Sequence, residues 1–150
     1  MSYANLRVGR FSEANRAYFV TTVLADRGQR YFSDLWLARI VIAEMRRLHD
    51  AGVVRSMAWV VMPDHAHWLF QMGESGTLGQ TVKALRARSA HRINRRLQRR
   101  GPLWQKAYHD HALRRDEDVR GIARYICANP LRAGLVQQLG DYPHWDAAWL

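Results

Sequence analysis

The chain has one cysteine, Cys127, which excludes an intrachain disulfide framework and a cysteine-based zinc finger and fits a reducing compartment. Proline is scarce, with four residues, and no Pro/Gly/Ser-rich stretch divides the sequence. One domain spanning 1–150 is therefore expected, with a basic arm over 1–16 and a C-terminal tail over 137–150. No stretch approaches the roughly 18 apolar residues that a membrane span needs. The first residues, MSYANLRVGRF, lack the apolar centre of a signal peptide, so a cytoplasmic location without a membrane partner is expected. Acids are outnumbered, 13 against 23 Lys+Arg, for a net charge of +10. Lysine itself occurs only at Lys83 and Lys106. Arginine carries the excess, and its planar fork of donors matches phosphate, which points to a phosphate-rich partner.

Hydrophobic residues make up 48% of the chain, enough for one compact core. The aromatic and β-branched segment from Ala17 to Leu24 reads as a first strand. Ser33 or Asp34 can cap a helix to about Asp50, with Leu37, Ile40, Val41, Met45 and Leu48 inward. Two strands, Ser56 to Met62 and His65 to Met72, flank the Pro63-Asp64 turn. A second helix from about Thr77 to Arg99 turns Leu78, Val82, Leu85, Ile93 and Leu97 inward. A fourth strand lies within Leu103 to Leu113. A third helix starts near Asp116, buries Val119, Ile122, Ala123 and Ile126, and is limited by Pro130. This order predicts an α+β, ferredoxin-like split βαβ fold. Its four-stranded antiparallel sheet would carry two helices on one face. The added C-terminal helix would cover part of the other, which is where chemistry should be sought.

On the third strand, His65 and His67 stand at i and i+2 and project from one face, while Ala66, Trp68 and Phe70 project from the opposite one. Two imidazoles on a rigid strand begin a divalent-metal site, and the plainer reading is a pair of hydrogen-bonded strand histidines. The similar pair His109 and His111 differs in its middle residue, since Asp110 cannot cheaply face a core as Ala66 can. On the third helix, Tyr125 and Asn129 are spaced i, i+4 and share a side at the edge of the apolar stripe. Tyr125 can bury its ring edge and still present its hydroxyl, whether as a boundary residue or as a nucleophile.

Three blocks carry a family resemblance: Trp59 to Trp68 (WVVMPDHAHW), Trp104 to His111 (WQKAYHDH) and Tyr125 to Val136 (YICANPLRAGLV). In this order and spacing they resemble the REP-associated tyrosine transposases, relatives of the small single-strand transposases of insertion sequences within the HUH nuclease superfamily. The resemblance runs from about Ala17 to Trp145. It implies that His65 and His67 are the metal-binding pair, that Asn129 helps to hold the metal and that Tyr125 is the nucleophile. Trp104, Gln105, Asp110 and His111 match the family blocks and would line the DNA groove or position the tyrosine helix; His111 as a proton shuttle is the alternative to a structural role. His109 departs from relatives that carry Trp there. The implied cofactor is Mg²⁺ or Mn²⁺, since few protein ligands leave room for phosphate and water. Zinc would lack the cysteines of a closed site.

The implied partner is single-stranded DNA containing a palindromic hairpin, cut through a 5′-phosphotyrosine by a nucleoid-associated monomer. The arginines then have a candidate role. Arg86, Arg88, Arg92, Arg95, Arg96, Arg99 and Arg100 crowd the second helix and the loop after it without an intervening acid. They form either a solvated face or a DNA-binding surface beside the histidine face. Arg7 and Arg10 form a smaller basic arm, and Arg124 and Arg132 lie near the tyrosine. Two rival activities stay open: a non-catalytic basic nucleic-acid-binding module, and a metal-dependent hydrolase that uses water.

Overall fold

A computed structural model describes residues 12–114 and 117–147. Arg7, Arg10 and the expected cap Asp116 lie outside the described residues. Strand β1 (Ala17–Val23) alternates buried and half-buried positions, the pattern of a strand covered differently on its two sides. Strands β2 (Val54–Met62) and β3 (His65–Met72) form the expected hairpin, and β4 is short (His109–Ala112). The sheet order is β4-β1-β3-β2-β5, and every neighbouring pair is antiparallel.

Helices α1 (Leu35–Asp50) and α2 (Leu78–Leu97) cover one face. Tyr18 and Val20 of β1 join Ala66, Trp68, Phe70 and Met72 of β3 in a core against Leu37, Val41, Met45, Val82, Leu85 and Ile93. Each such large apolar side chain contributes about 1.5–3 kcal/mol on full burial. Asp34, rather than Ser33, caps α1 through its carboxylate, which accepts from Trp36 N (2.8 Å) and Leu37 N (3.4 Å). A Thr77/Gln80 capping box starts α2, and Gln98 ends it in the left-handed region at φ 52°. Leu97, expected inside, is exposed, because the helix has run past the core by its last residue.

Helix α3 (Val119–Cys127) lies across β2 and β3 on the second face, where Ala123, Ile126 and Cys127 meet Ala58, Val60 and Leu69. Its N-cap is Asp118, whose side chain makes no capping hydrogen bond. Pro130 does not end the helical path as expected. Ala128 keeps a right-handed conformation (φ −80°, ψ −2°) and the one-turn helix α4 (Asn129–Arg132) resumes with Pro130 in its first turn, where the missing N–H costs least.

The sheet has five strands rather than four. Within the segment expected to be a tail, β5 (Trp145–Ala147) pairs with β2, setting Val60 opposite Trp145 and Ala58 opposite Ala147. Tyr142 Oη donates to the Val61 carbonyl (2.6 Å), Val61 N to the His144 carbonyl (2.9 Å) and Trp145 Nε1 to the Leu139 carbonyl (3.1 Å). Three residues are too few to show a strand period, and the bonds to β2 come from a distant part of the chain.

Candidate active site

Antiparallel register sets the site, because directly opposed residues share a face. Thr21 opposes both His67 and His109, Phe19 opposes Leu69 and His111, and Val23 opposes His65. All four histidines of the two His-x-His pairs therefore lie on the face that carries α3. The contrast drawn between the pairs does not hold: Asp110 is half-buried opposite Val20, on the side of α1 and α2.

His65 and His67 sit with ring centroids 4.8 Å apart and planes at 78°. His65 Nδ1 is 2.7 Å from Asp64 Oδ1, and Arg27 Nε donates to Asp64 Oδ2 at 2.7 Å. Burial alone would raise the Asp64 pKa, but the hydrogen bonds from His65 and Arg27 bring it below the usual carboxylate value. An ionised Asp64 fixes the Nδ1–H tautomer of His65 and leaves Nε2 with a lone pair. Thr21 Oγ1 engages His67 Nδ1 at 2.7 Å, and Phe19 meets the same ring edge-on at 5.4 Å. Burial above all, with smaller electrostatic contributions from neighbouring His65 and Arg132, pushes the His67 pKa down to about 3. Its imidazole is neutral at any ordinary pH, the state a metal ligand requires. Both rings thus have Nδ1 occupied and Nε2 left for another partner.

Among the described residues no group of three His, Cys, Asp or Glu comes together to hold a metal ion. A third protein ligand, if one is used, would have to be of another type; Asn129 is half-buried, and its amide oxygen is of the hard kind that suits Mg²⁺ or Mn²⁺. The near-unbroken path of α3 and α4 spaces Tyr125, Asn129 and Arg132 at i, i+4 and i+7, along one side. Tyr125 is 57% exposed and points away from the buried stripe of Ala123, Ile126 and Cys127, rather than standing at its edge as expected. The Arg132 guanidinium carbon stands 3.8 Å from the centre of the Tyr125 ring.

The other expected residues divide. His111 Nε2 lies 3.0 Å from both carboxylate oxygens of Glu117, just before α3. Glu117 also accepts from Arg114 N at 2.8 Å; that bond, then His111, lowers its pKa. His111 thereby ties β4 to the approach of the tyrosine helix. Trp104 is buried on the other side of the sheet, 5.3 Å from Phe32 and donating Nε1 to Ser89 Oγ at 3.1 Å. Gln105 is exposed, with its N–H bonded to the Val23 carbonyl (2.8 Å) and its own carbonyl accepting from Arg86. Thr21, Asp64, Arg27 and Glu117 were not among the expected site residues. Only Asp64, adjacent to His65, left a sequence signal.

The arginine row of α2 lies on the face opposite the histidines rather than beside them. Arg88 and Arg92 bind the buried Glu44 of α1 at 2.8 Å each, and Arg47 binds it at 3.0 Å. Arg86 also donates to the Lys106 carbonyl and covers Tyr108. Arg99 bonds Asn94 and the Pro102 carbonyl and lies 5.7 Å from the Tyr31 ring centre. Arg95, Arg96 and Arg100 are exposed, with Arg96 over Trp36 at 5.8 Å; Arg124 is exposed on α3.

Known proteins bear out the resemblance. Residues 15–129 match the family described as "Transposase IS200 like". A REP-associated tyrosine transposase of Escherichia coli (strain K12) is 29% identical over 136 residues, covering 87% of this chain and 78% of the relative. A second relative, from Haemophilus influenzae, is 27% identical over 141 residues, covering 85% of this chain and 77% of its own. The solved structure of a REP-associated tyrosine transposase bound to a REP hairpin superposes with a TM-score of 0.76 at 21% identity, covering 91% of this chain and 79% of that one. That likeness establishes the α+β fold. No described helix is long and apolar enough to cross a membrane.

Proposed function

This chain belongs to the IS200-like transposase family of DNA-cleaving and DNA-joining enzymes, and we propose that it nicks and rejoins single-stranded DNA at palindromic hairpin repeats through a covalent bond to Tyr125. The observation that carries this reading is an exposed tyrosine, stacked on Arg132, on the helix that packs over the sheet face bearing two histidines whose Nε2 atoms are left for a ligand.

A phosphodiester repels nucleophiles with its charged oxygens. His65, His67 and the Asn129 amide oxygen would hold a divalent cation, Mg²⁺ or Mn²⁺, whose charge would polarise those oxygens. Tyr125 loses its phenolic proton to solvent, and its oxygen bonds to phosphorus as the bond to the 3′ oxygen breaks. The 3′ oxygen takes up a proton, leaving a 3′-hydroxyl and a 5′-phosphotyrosine. Attack by a 3′-hydroxyl on that phosphotyrosine reverses the steps and rejoins strands without another energy source. Asp64 and Thr21 hold the two imidazoles in the tautomer and orientation that this requires.

The test mixes labelled single-stranded oligonucleotides that fold into imperfect palindromic hairpins, any found flanking the gene included, with protein and Mn²⁺ or Mg²⁺. A denaturation-resistant protein–DNA adduct that vanishes in Tyr125→Phe is expected. Cleavage that persists in Tyr125→Phe without an adduct makes the enzyme a hydrolase. Binding with neither nick nor adduct overturns catalysis altogether. His65→Ala or His67→Ala is expected to abolish cleavage and spare most binding.

A further inference from the structure

Arg132 differs from the arginines that are tied to carboxylates. Arg47, Arg88 and Arg92 share Glu44, Arg27 holds Asp64 and Arg16 holds Glu13. Among the described residues, the Arg132 side chain has no carboxylate partner and donates no hydrogen bond; its ring contact is with Tyr125 at 3.8 Å. A stack of this kind uses the flat face of the guanidinium and leaves its five N–H donors around the edge. Arg132 is exposed, so those donors face solvent beside the Tyr125 ring. The local charge is therefore uncompensated on the side where a strand would meet Tyr125.

We propose that Arg132 is the anchor of the scissile phosphate: its face holds the Tyr125 ring while its edge takes two non-bridging oxygens of the phosphodiester that Tyr125 attacks. The inference rests on the reading of Tyr125 as nucleophile and adds a substrate contact to it. A planar fork binds a tetrahedral phosphate through two parallel N–H···O bonds, which fixes its rotation as well as its position. Rotation is what in-line attack demands, since the phenolic oxygen, phosphorus and 3′ oxygen have to line up. The spacing supplies the coupling. Tyr125 and Arg132 are two turns apart on one nearly continuous helical path, so the nucleophile and its phosphate anchor move as one body.

Single-turnover adduct formation and equilibrium binding of a hairpin oligonucleotide test this in the full chain, comparing wild type with Arg132→Gln and Arg132→Lys. Loss of a preorganised charged donor lowers the adduct rate by about 10²–10³-fold in Arg132→Gln. Overall binding, spread over many contacts, falls far less. Arg132→Lys restores the charge without the fork and is expected to recover part of the rate.

A readout free of catalysis replaces the scissile phosphate with an uncharged methylphosphonate. This weakens binding to wild type and adds no further loss in Arg132→Gln. Equal methylphosphonate penalties in both proteins, or an Arg132→Gln adduct rate matching wild type, overturn the anchor. Should Arg132→Gln melt early, Arg132→Lys decides: a folded lysine variant with the full wild-type rate also overturns it. A wild-type protein that forms no adduct fails the nucleophile reading instead, and that result is seen before any variant is made.

Discussion

At the residue scale, the histidine pair depends on groups that donate nothing to a substrate. Asp64 joins His65 to Arg27 through its two carboxylate oxygens, each at 2.7 Å. Asp64→Asn keeps the shape but removes the charge that selects the Nδ1–H tautomer. Outer partners of metal-binding histidines are worth about 10–100-fold in affinity, so Mn²⁺ affinity measured by calorimetry should fall by about that factor. An unchanged affinity would remove His65 from the ligand set. The i, i+2 spacing made the shared face of His65 and His67 legible, because strand geometry alone determines it. Thr21 was not legible, since its place beside His67 depends on a strand register that joins residues 46 positions apart. The placement of His109 and His111 escaped for a related reason. An edge strand with one half-covered side accepts an acid such as Asp110 where a central strand would not.

At the scale of elements, α1 and α2 are held by charge as well as by apolar packing. Glu44 is 2% exposed and bonds three guanidiniums. Burial would raise its pKa, but the hydrogen bonds from Arg47, Arg88 and Arg92 bring it below the ordinary 4.5. Breaking a fully buried ion pair costs about 3–5 kcal/mol. The three arginines are about half exposed and can hydrate when released, so Glu44→Gln should cost less, about 1–2 kcal/mol in urea denaturation.

The sign with pH follows. A carboxyl with a lowered folded-state pKa stabilises above its unfolded value and loses that contribution as pH falls through the folded one. His67, lowered from 6.5 to about 3, acts in the same direction, because the unfolded chain takes up its proton first. Wild-type melting temperature should decline below pH 6.5 and more steeply below pH 4.5, and Glu44→Gln should show a shallower second decline, since His67, Asp64 and Glu117 still contribute there. A flat profile across both ranges would show that neither group differs between folded and unfolded protein. The two helices were legible from their apolar periods and their Asp34 and Thr77 caps. Their charge pairing was not. The run from Arg86 to Arg100 contains no acid, and its counter-charge arrives from another helix, on Glu44.

Across the whole molecule, the sheet separates two kinds of positive charge. On the side of α1 and α2, arginines serve partly as structure; on the other, Arg124 and Arg132 flank the tyrosine. The net charge of +10 therefore overstates the charge free to meet DNA. Exposed Arg95, Arg96 and Arg100 are free to release counterions from a strand that continues over the edge of the sheet. Each phosphate they neutralise adds about 0.7–0.9 to the slope of log affinity against log salt. Replacing all three with Gln should flatten that slope by about 2–3 units, with little change in melting temperature. Replacing Arg88 and Arg92 should do the reverse, lowering stability and leaving most of the slope. Anisotropy titrations of a labelled hairpin over a range of salt, run beside thermal melts, separate the two. A slope that survives loss of Arg95, Arg96 and Arg100, yet drops when Arg124 is replaced, would confine the DNA to the tyrosine face and make the whole arginine row of α2 a matter of folding and solvation.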